Sequence, residues 1–411
     1  MLKNYFKIAI AVLKRRKFFT FISLFGISFT LTILIVVTSI IDHVISPAYP
    51  EIKRERSLYL NLIEKTNEDH SSISRGQMSL YFLDNYVKTM KTPEMVSITA
   101  DNSSNTYINN QKISLDIKYT NIAFWNVNEF EFLEGRAYND KELTNADKVA
   151  VITDDLRKKY FGENEKAVGK YIEADNEEFR VTGVVKTAPS AFQFSEADIY
   201  VPYTTSKLDL YYKSLNGIYT AVILARSKAD IPAIQQEYQN IIAKKPMLEK
   251  HYSELYSHAD TYLTSYTRRA FGEGHNSGLI YVITAMSLIA FLFMLLPALN
   301  LININISRIM ERSSEIGVRK AFGASSRTLV YQFIIENLIL TVIGCVIGVL
   351  LAGVIITIIN NSGIIPKSHL AINVRVLAAA LLACIFFGLL TGVYPAWRMS
   401  KLQVVAALKA Q

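Results

Sequence analysis

The stretch FFTFISLFGISFTLTILIVVTSII, residues 18–41, contains no charged side chain. A helix of about 20 apolar residues crosses the hydrocarbon core of a bilayer, which is about 30 Å thick. The stretch is too long for the apolar part of a signal peptide, and no small-residue cleavage site follows it. It therefore predicts a retained transmembrane helix.

Three more apolar runs lie in the second half of the chain, at residues 278–302, 329–359 and 376–397. Hydrophobic residues make up 50% of the chain and charged residues only 19%, against about 25% charged in an average soluble domain. These features exclude an ordinary soluble protein and predict four transmembrane helices. Cys345 and Cys384 both lie inside apolar runs, so no disulfide framework and no CxxC-type metal or redox site is expected.

The distribution of charge predicts the orientation of the helices. Residues 1–17, 303–328 and 398–411 together hold 14 basic and 2 acidic residues, so the rest of the chain carries −4 of the net +8. Short cytoplasmic loops are enriched in Lys and Arg. We therefore expect both termini and the 303–328 connector in the cytoplasm, and residues 42–277 and 360–375 outside it. The basic charge is a topological signal, which removes the argument for nucleic-acid binding.

The outer segment, residues 42–277, has the patterns of a folded α+β domain. Its flanks, residues 42–56 and 260–277, are placed to form a stalk. The fold class is thus an α-helical integral membrane protein with four transmembrane helices and a large extracytoplasmic α+β domain inserted between helices 1 and 2. Clear strand patterns occur at residues 112–119, 178–186 and 219–225, and helix patterns at 154–161 and 229–243.

The connector, residues 303–328, has an apolar to small stripe at helical spacing and a charged opposite face. On that face Glu311 and Glu315 are four residues apart, and Arg319 follows Glu315 by four. Such a helix either anchors two spans at the membrane surface or docks into a groove on a soluble partner. Residues 1–17 have one apolar face and predict an interfacial helix before the first span.

The connector and the C-terminus carry the most specific motifs. Residues 308–327 read RIMERSSEIGVRKAFGASSR, residues 329–337 read LVYQFIIEN, and residues 394–408 read YPAWRMSKLQVVAAL. This pattern resembles the MacB/FtsX-like permease family of ABC transporters. Gln403 and Val404 stand where the family's ending usually has Asp-Pro, which puts in doubt how the tail leaves the membrane.

The outer segment and the N-terminus extend the resemblance to both ends of the chain, since they are similar to the family's MacB-like periplasmic core domain and its leading helix. The matching stretches are NYFKIAIAVLKRRKFFTFISLFG (4–26), FLEGR (132–136), VAVITDDLRKKYFG (149–162), VGK (168–170), FRVTGVVK (179–186) and DIYVPY (198–203).

The resemblance implies the permease subunit of an ABC transporter in the bacterial inner membrane. Such a subunit forms a homodimer, or a heterodimer with a paralogous permease, and binds a separate cytoplasmic ABC ATPase that holds the ATP and Mg²⁺. ATP hydrolysis would move the periplasmic domain for export, for extraction of lipoproteins, or for activation of envelope proteins, with or without an outer-membrane partner. The implied ATPase-coupling residues are Glu311, Glu315, Ile316, Gly317, Arg319 and Lys320.

Small residues at a spacing of four mark helix-packing positions in the third and fourth runs. These are Gly344 and Gly348 in one run and Gly388 and Gly392 in the other, and they could join spans within one chain or across a dimer. Glu336 is the one carboxylate inside an apolar run. We interpret Glu336 as a structural residue. It lies near enough to the inner interface to snorkel, or to pair with Arg327 or another basic residue of the connector.

Catalytic and metal sites are not indicated. The closest approach to a P-loop, GENEKAVGK at residues 162–170, has the wrong spacing and is followed by tyrosine. His251, Glu254 and His258 would share one face of a helix, which we interpret as a solvated face instead of a zinc site. The chain is therefore predicted to be a non-catalytic subunit with no cofactor or metal of its own. The alternative is an ATP-independent membrane-anchored scaffold or sensor of the cell envelope.

Overall fold

The computed structural model describes residues 15, 17–108, 111–190, 192–207, 213–245, 251–310, 318, 322, 325–364 and 370–400. These residues divide into two compact units. The mixed unit is built on Val44–Ile283, and the helical unit contains the described residues before Val44 and after Ile283. The prediction that residues 42–277 form a separate domain is close to the first of these units.

The mixed unit is built on a sheet of thirteen strands. In chain order they are β1 (Ser57–Leu60), β2 (Ile63–Thr66), β3 (Ile73–Met78), β4 (Met95–Ile108), β5 (Gln111–Thr120), β6 (Phe132–Gly135), β7 (Val149–Thr153), β8 (Tyr171–Ala174), β9 (Glu177–Val185), β10 (Ile199–Pro202), β11 (Asn216–Gly217), β12 (Tyr219–Leu224) and β13 (Glu254–Ser257).

The strands are hydrogen-bonded in the order β13-β2-β3-β12-β4-β5-β10-β7-β9-β6, with β1 on β12, β11 on β3 and β8 on β9. Two pairs, β5–β10 and β7–β9, are parallel, and the other pairs are antiparallel. Strands with alternating burial such as β8 have one solvated face, whereas β7 and β12 are buried along their whole length. The sheet is therefore covered on both faces over its centre.

Helices and helical turns cover the sheet. The α-helices of the mixed unit are α2 (Leu80–Phe82), α3 (Ala123–Val127), α4 (Asp140–Thr144), α5 (Asp154–Phe161), α6 (Ile231–Lys244) and α7 (Tyr262–Phe271). Short 3₁₀ turns occur at Ile52–Arg56, Tyr203–Thr205 and Lys228–Asp230, and a π turn at Leu83–Val87.

The elements predicted for this unit are confirmed. The strand patterns correspond to β5, β9 and β12, and the helix patterns to α5 and α6. The Thr153 hydroxyl accepts a hydrogen bond from the amide of Leu156 at 3.3 Å, so it caps α5 as the sequence predicted. Pro232 lies in the first turn of α6, where its missing amide costs nothing. Large apolar side chains from the strands and these helices, among them Leu58, Phe82 and Ile223, form the core.

The helical unit contains most of four long apolar helices. They are α1 (Lys17–Ile45), which precedes the mixed unit in the chain, and α8 (Leu279–Met310), α9 (Ser326–Ser362) and α10 (Val374–Ser400), which follow it. Among the described residues, α1 and the Val330–Ser362 part of α9 are long and apolar enough to cross a bilayer. The apolar parts of the other two, Leu279–Phe293 and Leu377–Leu390, are shorter. The existence of four spans therefore remains a prediction.

Helix α9 packs against α1 through two of the predicted glycines. A Cβ atom on Gly344 would lie 2.6 Å from Cγ2 of Ile27, and one on Gly348 would lie 2.9 Å from the carbonyl oxygen of Ser28. The Thr32 hydroxyl donates to the carbonyl of Gly348 at 3.1 Å. Gly344 contacts Ile27, and Gly348, four residues further along α9, contacts Leu31, four residues further along α1. These two helices therefore run parallel.

Helix α10 packs against another face of α9. A Cβ atom on Gly388 would lie 2.5 Å from Oγ1 of Thr341, and the Asn337 amide donates to the Gly388 carbonyl at 2.5 Å. From Thr341 to Cys345 along α9 the contact moves from Gly388 back to Cys384 along α10, so these helices are antiparallel. Gly344, Gly348 and Gly388 thus lie at helix contacts, whereas the surroundings of Gly392 lie outside the described residues.

We predict that Gly348→Ala lowers the free energy of unfolding of the detergent-solubilised protein by about 1–3 kcal/mol, because the added methyl group would overlap backbone that has no room to move. The measurement is thermal or SDS-induced unfolding followed by circular dichroism. Gly353→Ala is the matched control on the same helix, since no heavy atom lies within 4 Å of that Cβ position. Equal stabilities of the two variants would contradict the packing.

Candidate functional site

Arg54 is the centre of a buried cluster at the start of the mixed unit. It lies in the turn Ile52–Arg56 and is only 5% exposed. Its Nε and Nη2 atoms donate to Oε2 of Glu51 at 3.1 and 2.9 Å. Its guanidinium carbon lies 4.3 Å from the ring centre of Phe192 and 3.7 Å from that of Tyr262. With Ser195, these residues form what we name the Arg54 cluster.

The third nitrogen of the guanidinium holds the end of a helix. Nη1 of Arg54 donates to the carbonyl oxygens of Val44, Ile45 and Ser46 at 2.8, 3.0 and 2.9 Å. Val44 and Ile45 are the last two residues of α1 and belong to the mixed unit. The last carbonyls of a helix lack partners inside the helix and carry partial negative charge, so a cation there is favourable. Arg54 therefore caps α1.

Both oxygens of the Glu51 carboxylate have partners. Oε1 accepts a 2.7 Å hydrogen bond from the hydroxyl of Ser195, and Oε2 accepts the two bonds from Arg54. A buried ion pair is tolerated only where such additional bonds satisfy the remaining polar groups. The Arg54 cluster thereby joins three separate segments of chain, which are the end of α1, the loop before β10, and α7.

Tyrosines surround the cluster on the side of α7. The ring centres of Tyr59 and Tyr262 lie 5.2 Å apart, and the hydroxyls of Tyr262 and Tyr266 are 3.1 Å apart. Burial raises the pKa of all three phenols, and the nearby Glu51 raises it further. These side chains consequently remain neutral, and they serve as packing and hydrogen-bonding groups.

A second buried arginine fixes the other end of α7. The Arg268 guanidinium donates to Asp260 at 2.5 and 3.1 Å and to the carbonyls of Gly274 and His275 at 3.3 and 3.4 Å. Burial raises the pKa of the Asp260 carboxyl, and the bonds from Arg268 partly oppose that rise. Residues 272–278 lead from α7 to α8. A buried arginine therefore binds backbone carbonyls at each of the two places where the mixed unit meets a long apolar helix in the chain.

The histidine motif is corrected by the structure. Glu254–Ser257 is strand β13 and not part of a helix, so His251, Glu254 and His258 do not share a helical face. The neighbour of His258 is His275, whose Nδ1 lies 3.3 Å from Nε2 of His258. Their separation in the chain hid this pair from sequence reasoning. The described residues contain no group of three or more His, Cys, Asp or Glu side chains placed to hold a metal ion.

Glu336 is buried in the helical unit. It is 2% exposed and lies on α9 with the buried polar residues Gln332, Asn337 and Thr341. The structural role given to it, including a pairing with a basic residue of the connector, stays a prediction. The expected partner Arg327 has its side chain outside the described part of the chain. Four polar positions at helical spacing on one apolar helix are the signal that could have indicated a buried face.

The predicted ATPase-coupling residues Glu311, Glu315, Ile316, Gly317, Arg319 and Lys320 all lie outside the described residues. Two of their neighbours are described. Val318 is 47% exposed and Phe322 is 89% exposed, and the amide of Phe322 donates to the carbonyl of Val318 at 3.0 Å. Two exposed apolar side chains therefore lie four residues apart in the connector. The sequence analysis did not single out Phe322.

The class of protein follows from these features. A mixed α+β unit that follows one long apolar helix in the chain and precedes three more fits a helical membrane protein. The model of the MacB-like periplasmic core domain matches residues 20–241, and that of the FtsX-like permease C-terminal domain matches residues 287–404. The chain belongs to the MacB/FtsX-like permease family, which confirms the resemblance seen in the sequence.

Two relatives are similar to this chain over more than half of its length. The chain is 27% identical over 281 residues to the pyoverdine export ATP-binding/permease protein PvdT of Pseudomonas syringae. The matched residues cover 68% of this chain and 40% of that protein. It is 23% identical over 353 residues to the uncharacterized ABC transporter permease YknZ of Bacillus subtilis. The matched residues cover 84% of this chain and 83% of YknZ. The chain thus spans about two fifths of the length of the first relative and most of the second.

One solved structure that the chain matches is the periplasmic region of MacB from Actinobacillus actinomycetemcomitans. It is 15% identical, covers 49% of this chain and 87% of that chain, and gives a TM-score of 0.36.

The environment of His258 leads to a prediction about pH. Burial, then the charge of Arg268, then His275 lower its pKa from 6.5 to about 4. Between pH 6.5 and 4 the unfolded chain binds more protons at this position than the folded one, so this contribution to stability is complete above pH 6.5 and is lost as the pH falls towards 4. We expect a loss of roughly 1–2 kcal/mol after allowance for solvent screening.

The measurement is the unfolding midpoint of the purified protein at pH 7 and at pH 4.5. His258→Gln should reduce the difference between the two midpoints, because it removes the titrating group and leaves the other groups that respond to pH. His251→Gln, at an exposed position, is the control and should behave as the original chain does. An unchanged difference in His258→Gln would contradict the assignment.

Proposed function

We propose that this chain is the permease subunit of an ABC transporter and that it couples ATP hydrolysis by a separate cytoplasmic ATPase to movement of its mixed unit outside the membrane. The observation that carries the proposal is the match to a MacB-like periplasmic core domain followed by an FtsX-like permease domain. The names of the relatives, an ABC transporter permease and an ATP-binding/permease protein, support it.

Exposed apolar side chains in the connector support the docking of a partner. Val318 and Phe322 present apolar side chains, and Phe322 is almost fully exposed. The charged residues Glu315 and Arg319, predicted from the sequence as coupling residues, are neighbours of Val318 in the chain. Aromatic anchors surrounded by polar residues are typical of the centre of a protein interface. ATP and Mg²⁺ would be bound by the partner, with no cofactor on this chain.

The packing of the helical unit supports the proposed topology. Because α1 and α9 run parallel and α10 runs antiparallel to them, α1 and α9 would start on one side of a bilayer and α10 would end there. With the basic segments on that side, both termini and the connector would face the cytoplasm of a bacterium, in its inner membrane. The mixed unit would then lie outside the cytoplasm.

The two buried arginines support mechanical coupling. Arg54 holds the last carbonyls of α1 and contacts Tyr262 on α7, and Arg268 joins α7 to the segment before α8. A displacement of the end of α1 would therefore be passed to α7 through the buried hydrogen bonds of Arg54 and its contact with the Tyr262 ring, and not through a flexible linker. A dimer, either with itself or with a paralogous permease, would let an ATPase pair drive two such connections at once. Export, lipoprotein extraction and envelope-protein activation all remain open as the use of this movement.

The partner is tested by co-purification of the ATPase with the tagged permease from membranes. We predict that Phe322→Ala and the pair Glu315→Ala with Arg319→Ala each lower the amount of bound ATPase about tenfold, because a central interface residue contributes more than about 1.4 kcal/mol. Membrane insertion should be unchanged.

Matched controls lie in the mixed unit. Phe271→Ala removes another exposed aromatic side chain, and Lys53→Ala with Glu129→Ala removes another ion pair, whose atoms are 3.1 Å apart. Both controls should retain the ATPase. Full retention by the connector variants would remove the docking assignment, and the absence of any ATPase in the original complex would favour the ATP-independent scaffold.

Coupling is tested with Arg54→Lys, which keeps a positive charge beside Glu51 but cannot reach three carbonyls with a planar fork. In the original complex, we predict that a non-hydrolysable ATP analogue changes hydrogen exchange in residues 262–271. In Arg54→Lys this nucleotide-dependent change should fall at least about threefold, while ATPase binding persists. The measurement is hydrogen exchange with mass spectrometry, with and without nucleotide.

Arg56→Lys is the control two residues away. Arg56 forms a partly exposed ion pair with Glu94 at 2.6 Å, for which exchange of the cation should matter little. Its nucleotide response should equal that of the original chain. An undiminished response in Arg54→Lys would show that movement reaches α7 by another route.

A further inference from the structure

The two cysteines of the chain meet inside the helical unit, although 38 residues separate them and each lies in a different apolar run. The Sγ atoms of Cys345 on α9 and Cys384 on α10 are 3.1 Å apart. An S–S bond is about 2.05 Å long, so a shift of about 1 Å would bring the sulfurs to bonding distance. The absence of a CxxC pattern had argued against a redox site, but the pair is formed by tertiary packing.

The close approach has a structural cause. One turn before Cys345, Thr341 contacts Gly388, and the same register places Cys384 beside Cys345. Because glycine has no side chain at 388, the two antiparallel helices approach closely there. A disulfide requires the two Cα atoms to lie within about 7 Å of each other. Two helix backbones come this close at contacts between small residues.

The surroundings determine which reagent could act on the pair. Cys345 is 5% exposed, and it packs in a cluster with Leu31, Ile35 and Ala380. It also lies near the middle of α9, whose apolar part is long enough to cross a bilayer. Thiolates form poorly in apolar surroundings, and charged oxidants are excluded from them. An oxidant that reaches the pair must dissolve in the membrane.

We propose that Cys345 and Cys384 form a reversible disulfide between α9 and α10 when a membrane-soluble two-electron acceptor of the quinone or diazene class is present. Each thiol gives up one hydrogen atom and one S–S bond forms. The acceptor takes up both hydrogen atoms and becomes the quinol or the hydrazine. A thiol reductant reverses the reaction by exchange. The bond would prevent α9 and α10 from sliding past each other. This inference does not depend on the proposed function.

The test uses the full-length protein in native membranes, treated with the membrane-permeant diazene diamide. Free thiols are then labelled under denaturing conditions with a maleimide-polyethylene glycol, which adds one gel shift per cysteine. We expect the monomer band to show two gel shifts before oxidation and no gel shift after oxidation. After reduction it should show two gel shifts again. Mass spectrometry should show the loss of two hydrogen atoms in the cross-linked peptide that contains both residues.

Position is tested by moving one thiol. In Cys345→Ser with Val346→Cys, the thiol sits at the next position of α9, at the same depth but where Val346 is 56% exposed. This variant should keep at least about tenfold more free thiol than the original chain after the same treatment. Two shifts in the oxidised original chain would overturn the proposal. Equal cross-linking of the moved thiol, or a link found only between two chains, would also overturn it.

Discussion

The guanidinium of Arg54 holds together the residues on which the proposed mechanical coupling depends. A buried arginine is tolerated only if its five N–H groups find acceptors and its charge finds a counter-ion. Here Glu51 supplies the counter-ion and three backbone carbonyls supply acceptors, while the rings of Phe192 and Tyr262 contact the guanidinium. Because each partner comes from a different segment, the cation fixes the end of α1, the loop before β10 and α7 in one arrangement.

The helical unit is held by a different constraint. Lipid offers no hydrophobic gain for burying one apolar helix against another, so close packing and a few polar contacts must supply the attraction. Gly344, Gly348 and Gly388 remove side chains where backbones meet, and Thr32 and Asn337 donate across the resulting contacts. The same closeness brings the two cysteines together. A rigid helical unit is what a permease needs if a force applied at a cytoplasmic connector is to reach the other side of the membrane.

Local patterns were good predictors of local structure. The period-2 stretches became β5, β9 and β12, and Thr153 caps α5 as expected, because strand and cap signals depend on residues that are neighbours in the chain. Reasoning failed where distant segments meet. His251 and His258 were placed on one helix by spacing alone, yet the sheet takes up Glu254–Ser257 and directs His258 towards His275.

The sequence by itself determined that apolar runs flank a mixed domain and which family the motifs indicate. Each of these depends on composition or on short-range order, which folding does not alter. The tertiary structure decided which groups meet: Arg54 with the end of α1, Gly348 with Ser28, and Cys345 with Cys384. Such meetings depend on the register between helices and strands that are far apart in the chain. A shift of one residue in that register would break every one of them while leaving the pattern of hydrophobicity unchanged.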